Sequence, residues 1–153
     1  MKQKTIKIFV IFLMIFLTNC AQNDDEKLNQ VMVDNGNSQI VVNVQIADDN
    51  NERAKGLMFV NILNENAGML FIFEKEDYQI FWMKNTMIPL DIIFIGENMK
   101  IIEIKYAEPC LKGPCALYES TAPSKYVLEV NGNFTPFNNI TTGNKIKLKL
   151  SNQ

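Results

Sequence analysis

The chain has 153 residues, a length that fits one domain, and its 47% hydrophobic and 21% charged content is globular rather than disordered. Formal net charge is −2, and there is no histidine. The missing histidine excludes Ser-His-Asp and Cys-His nucleophile systems and His-ligated zinc, iron and copper sites, which leaves Asp, Glu, Lys and Tyr for any acid–base chemistry.

The N-terminus reads as an address. Residues 1–7 carry three lysines, and Ile8–Leu17 is an unbroken apolar run. A membrane-spanning helix needs about 20 apolar residues, so this run is too short to span and matches the apolar region of a secretory signal. Its exit, Leu17-Thr18-Asn19-Cys20, resembles a bacterial lipobox, in which the cysteine is lipidated and becomes the mature N-terminus. The expected organisation is a lipoprotein signal peptide over 1–19, a polar tether over 20–30 running from lipidated Cys20, and one domain over 31–153. From Cys20 onward the formal net charge becomes −5, with no dominant basic patch, which argues against nucleic acid as a partner.

Ser38–Ala47 is β-branched and bounded by turn residues on both sides, which predicts a strand. Asn50–Met58 starts acidic, carries Arg53 and Lys55 later and has Gly56 near its end, the pattern of a helix of about two turns. Gly68–Phe73, Tyr78–Lys84, Leu90–Ile95, Lys100–Tyr106, Ser124–Asn131 and Lys145–Leu150 are further predicted strands, with Gly96-Glu97-Asn98 as a hairpin turn. Lys145, Lys147 and Lys149 alternate with Ile146, Leu148 and Leu150, so they form the wet face of the last strand. Strands at short intervals with one or two brief helices predict a mainly β (α+β) single domain, a compact antiparallel β-barrel or sandwich.

Three cysteines are an odd number. Assigning Cys20 to lipid leaves Cys110 and Cys115 to pair in an oxidising compartment or to remain free thiols. A bond between them would staple the Pro109–Pro114 loop, contributing roughly 2 kcal/mol by chain entropy.

The central motifs carry a family likeness. Glu52-Arg53, Gly56-Leu57-Met58, Gly68-Met69-Leu70-Phe71, Phe81-Trp82-Met83-Lys84-Asn85-Thr86, Ile88-Pro89-Leu90-Asp91-Ile92 and Val127-Leu128-Glu129 with Gly132 resemble the domain of unknown function 192 (DUF192) family. The likeness runs from about Ser38 to Leu150; Gly143-Asn144 stands where the family usually has Gly-Asp. It implies a mostly β domain, often in exported or membrane-attached bacterial proteins, and no reaction.

The residues themselves supply the site candidates. As a strand, Ile80, Trp82 and Lys84 share one face and Phe81, Met83 and Asn85 the other. Pro89 restrains the chain to a bend. Lys84, Asn85, Thr86 and Asp91 are polar groups inserted among Trp82, Met83, Leu90 and Ile92, a set suited to a pocket mouth that Arg53 and Glu129 join only if the fold brings them close. A structural reading competes: Asn85 and Thr86 as turn residues, Asp91 paired with Lys84 or Arg53 to hold the bend. The expected function is a non-catalytic, ligand- or partner-binding accessory module without a cofactor, held at the envelope face of a bacterial membrane and meeting a small ligand or an envelope protein. The alternatives are a hydrolase using Asp91 with Lys84, an Asp91–Glu129 carboxylate pair for glycoside hydrolysis, and a Cu(I)-handling protein built on methionines and Trp82.

Overall fold

The computed structural model describes residues 28–151; the expected signal peptide, Cys20 and most of the expected tether lie outside them. Nine strands and two short helices follow in the order β1 (Gln30–Asp34), β2 (Gln39–Ala47), α1 (Asn50–Lys55), β3 (Ala67–Asp77), β4 (Ile80–Trp82), β5 (Leu90–Ile95), β6 (Ile101–Ala107), β7 (Leu117–Glu119), β8 (Ser124–Asn131), α2 (Phe134–Phe137) and β9 (Lys145–Lys149). Among the described residues no helix is long and apolar enough to cross a membrane.

Seven strands form one sheet in the order β6-β5-β8-β3-β2-β1-β9. The sheet curls into a half-barrel, and its edges meet at one end. There Ile146 N donates to Met99 O (2.8 Å) and Ile101 N to Asn144 O (3.0 Å). The expected antiparallel arrangement holds for every pair but one: β2 and β3 run parallel, with Val44 opposite Gly68 and Ile46 opposite Leu70. The crossover between them is only α1 and the loop to Asn66. A parallel pair therefore fits here without the long helices such connections usually carry.

α1 is shorter than its sequence pattern, because Gly56 takes a positive φ of 47° and ends it. Its start is a complete capping box: Asp49 accepts from Asn51 N and Glu52 N, while the Glu52 side chain reaches back to Asp49 N. Three elements have weak local patterns and were not predicted. β1 takes over where the tether was expected to end; β7 and α2 have three and four residues.

Two apolar clusters lie on the two faces of the sheet. The inner one fills the half-barrel with Val31, Val33, Val42, Val44, Leu70, Ile93, Ile95, Leu128, Val130 and Ile146, and Phe134 and Ile140 join it from the α2 region. The outer one holds Met69, Phe71, Leu90, Ile92, Phe94 and Val127 beneath Leu57, Val60, Leu63, Phe81 and Met83. This explains why β5 is buried at all six positions: a strand covered on both faces reads as a continuous apolar run. β4 and β7 pair as a separate two-stranded sheet over the outer face. Phe81 plugs that cover into place, with its ring edge-on to Phe71 at 4.9 Å and to Phe94 at 6.0 Å.

Gly68 shows how tightly the central strands pack. A Cβ there would lie 2.5 Å from the Glu129 carbonyl oxygen and 3.1 Å from Val130. Since backbone cannot yield as a flexible side chain does, Gly68→Ala is expected to cost about 1–3 kcal/mol, checked by denaturant unfolding.

Candidate functional site

The bend at Pro89 separates the candidate residues instead of gathering them. Ile80, Trp82 and Lys84 face outward and Phe81 and Met83 inward, as the alternation requires. Trp82 is 48% exposed. The Lys84 Nζ sits over its ring at 5.1 Å, a cation–π contact. Trp82, Lys84 and Asn85 line a cleft of about 460 Å³ whose opposite wall is the stapled loop, with Leu111, Lys112, Pro114 and Leu117. That loop is closed by a Cys110–Cys115 disulfide. The pairing removes the free-thiol alternative for these two residues.

Asn85 builds this cleft more than it decorates it. Its φ of 57° is left-handed, a conformation asparagine tolerates better than most residues. Its amide donates to Cys110 O (2.9 Å), and its carbonyl accepts from Phe59 N (2.9 Å). One residue thus ties the 56–60 loop to the disulfide loop. Thr86 is buried at the turn, where its amide donates to Met83 O (3.0 Å).

Asp91 lies on the other side of the sheet. It is 2% exposed and accepts three hydrogen bonds from the α2 segment. These come from Asn133 N (3.0 Å), Thr135 N (2.8 Å) and Thr135 Oγ1 (2.7 Å). The carboxylate holds α2 against the end of the half-barrel. Neither Lys84 nor Arg53 is its ion-pair partner; the only ion pairs among the described residues are Lys105–Glu103 and Lys125–Glu97.

Arg53 is a staple of another kind. Its guanidinium donates to Ile72 O (2.9 Å), to Asp48 O and to Asn50 Oδ1 (2.7 Å), and lies over the Phe73 ring at 5.3 Å. It fastens α1 to β3.

Glu129 is the anomalous member. It sits on β8, opposite Met69 on one side and Ile92 on the other, and is 4% exposed. Its neighbours on the outer face are Phe71 and the backbone of Gly56. Among the described residues no hydrogen bond or ion pair reaches its carboxyl, and burial alone pushes its pKa up to about 8. Because Asp91 is opposite Val130 while Glu129 is opposite Ile92, the two carboxyls point to opposite faces. They cannot flank one glycosidic bond.

The methionines are likewise dispersed. Met69 and Met83 belong to the outer cluster, and Met99 packs against the inner one. No group of three or more Cys, Asp or Glu among the described residues is placed to hold a metal ion. What sequence reasoning missed is the disulfide loop as the second wall of the Trp82 cleft. Its Leu111, Lys112 and Leu117 carry no periodic signal, and the pairing of Trp82 with Leu117 across β4 and β7, together with the parallel bridge between Lys84 and Cys110, brings the two walls together.

A family model described as uncharacterized ACR, DUF192, matches residues 31–148. The chain belongs to the DUF192 family. This agrees with the likeness of its central motifs. No curated protein matches the chain. Two crystal structures of similar proteins share the DUF192-type fold seen here. A protein of unknown function from Novosphingobium aromaticivorans is 34% identical, with a TM-score of 0.71 over 77% of this chain and 83% of that one. A protein from Sinorhizobium meliloti, named as a candidate transcription regulator, is 29% identical, with a TM-score of 0.72 over 78% of this chain and 92% of that one.

Two measurements separate the carboxyls. Asp91→Asn replaces one acceptor oxygen by a donor, which in either amide orientation faces a backbone N–H of Asn133 or Thr135. It is expected to cost about 1–3 kcal/mol and to speed hydrogen exchange at the Asn133 and Thr135 amides. For Glu129 the expected effect is a dependence on pH. The folded state keeps the proton up to about pH 8, while the unfolded chain releases it near the ordinary value of 4.5. The folded state therefore holds more protons between those values. Stability is full below about 4.5 and falls as pH rises toward 8, by on the order of 1 kcal/mol per pH unit. Unfolding curves collected across that window should show the decline in wild type and its loss in Glu129→Gln.

Proposed function

We propose that this DUF192 protein is an exported, lipid-anchored binding module, non-catalytic, with its ligand in the cleft between Trp82–Asn85 and the disulfide loop. The observation that carries this reading is a half-exposed indole facing a stapled loop. Trp82, Leu111 and Leu117 are exposed apolar groups on that cleft, and such groups clustered on a surface mark a contact site. Lys84 and Lys112 add two positive charges, and no acidic side chain lines the cleft. In a domain that is acidic from Cys20 onward, this is a locally cationic, apolar surface suited to an anionic ligand with an apolar body.

The Cys110–Cys115 disulfide supports an oxidising compartment, and the lipobox-like exit at Cys20 supports the anchor. The hydrolase alternative receives little support, since Asp91 is committed to α2 and Lys84 to Trp82. The regulator description of the Sinorhizobium relative is not carried over. The described helices have six and four residues, too short for a recognition helix in a DNA groove.

Trp82 is the single tryptophan, so its fluorescence reports on the cleft alone. Titration with decanoate below its micellar concentration is expected to give a saturable blue shift, weakened about tenfold or more in Lys84→Ala, with decyltrimethylammonium giving none. An equal response to both amphiphiles, or no saturable response, rules out the cleft as an anion site. Trp82→Ala, with decanoate binding followed by ligand-observed NMR, should abolish binding, and because Trp82 is half-exposed it should cost less than the roughly 3–5 kcal/mol of a buried aromatic truncation. Mass spectrometry of the mature N-terminus is expected to show acylated Cys20; a chain beginning elsewhere refutes the anchor.

A further inference from the structure

A second concavity, of about 500 Å³, opens on the far side of the α2 segment and shares no lining residue with the Trp82 cleft. Its walls are Leu63, Glu65 and Asn66 from the loop before β3 and Asn131, Phe134, Phe137 and Asn138 around α2, with Gly132 at the back. Two features set it apart. Phe137 is 84% exposed, the largest fractional exposure of any aromatic among the described residues, at a position where burial was available one turn away to Phe134. The polar lining consists of carboxamides and one carboxylate, with no cation.

Two of the three carboxamides, Asn131 and Asn138, are held in place by the fold. Asn131 Nδ2 donates to Leu63 O (3.1 Å) and Asn64 O (3.0 Å), and Asn138 Nδ2 donates to Phe134 O (2.9 Å). Backbone carbonyls only accept, so the amide orientation of both side chains is set by chemistry. Their Oδ1 atoms have no hydrogen-bond partner among the described residues, and neither does the Glu65 carboxylate. The main chain at Asn138 is itself tied to the sheet, since Asn35 Nδ2 donates to Asn138 O (2.7 Å). The cleft is therefore lined by two fixed carboxamides with unused acceptor oxygens beside an exposed aromatic face.

This combination selects a ligand chemistry. An anion is disfavoured by Glu65 and finds no positive group. A cation finds only one exposed carboxylate, and the remaining polar groups are uncharged. A neutral ring bearing many hydroxyls supplies the donors that the acceptor-rich wall needs, and its C–H face can lie against the negative face of the Phe137 ring. From this juxtaposition of Phe137 with Asn66, Asn131, Asn138 and Glu65 we infer that the α2 cleft is a saccharide-binding site, distinct from the anion site proposed above and independent of it.

Ligand-observed saturation-transfer NMR on the full chain in detergent tests this, with cellotriose, chitotriose and maltotriose as probes and butylammonium and butyrate as charged controls. The expected result is saturation of ring protons of at least one trisaccharide at millimolar concentration, with no comparable transfer to either control. Phe137→Ala should weaken the interaction about tenfold or more with an unchanged melting temperature, because so exposed a ring contributes little to packing. Lys84→Ala, in the other cleft, should leave it intact. Absence of transfer from all three sugars overturns the inference, and so does transfer that survives Phe137→Ala or is stronger for butylammonium. A negative result here with decanoate binding retained removes the saccharide site alone.

Discussion

Strands β3, β8 and β5 carry apolar side chains on both faces, and the molecule is organised around keeping both faces dry. One face is satisfied by curling the sheet until β6 and β9 meet at one end, which encloses the inner cluster. The other cannot be satisfied by the sheet and needs a separate cover: the Leu57–Leu63 loop, the β4–β7 pair and the disulfide loop. Burying both faces of three central strands stabilises by roughly 25 cal/mol per Å² of apolar surface. It also makes a buried carboxyl on those strands costly unless donors reach it.

Asp91 and Glu129 are the two outcomes of that rule. Asp91 points into the inner face at the open end of the half-barrel, where α2 can bring two backbone amides and a hydroxyl to it. Glu129, one residue out of step on the neighbouring strand, points under the outer cover, where no donor reaches it, and keeps its proton instead. Two acids in adjacent strands meet different surroundings because a sheet alternates its side chains and each face has a different lid.

The cover is also where exposed apolar and cationic side chains gather. Its inner surface is occupied by Phe81 and Met83, so Trp82 and Lys84 are turned outward by alternation. Asn85 then anchors the disulfide loop across from them. The rigid sheet supplies a platform, and the irregular segments that seal it supply the clefts, as is usual where loops carry function on a fixed scaffold. The second cleft follows the same logic at α2, the segment that Asp91 holds in place.

Local pattern alone determined a good deal of this protein. The β2, β5 and β8 strands, the Gly96-Glu97-Asn98 hairpin, the capped start of α1 and the outward lysines of β9 all follow from periodicity, turn chemistry and capping, which act over a few residues and need no tertiary partner. Alternation likewise placed Trp82 and Lys84 on one face. Tertiary structure decided the rest. The parallel β2–β3 pairing, the short β1, β7 and α2, and the disulfide loop as the wall opposite Trp82 depend on contacts between residues far apart in the chain. So did the separation of Asp91 from Lys84, Arg53 and Glu129. Sequence spacing could place those groups near one bend, but which face of a curled, doubly covered sheet each one meets depends on strand register, and register is set by the whole core at once.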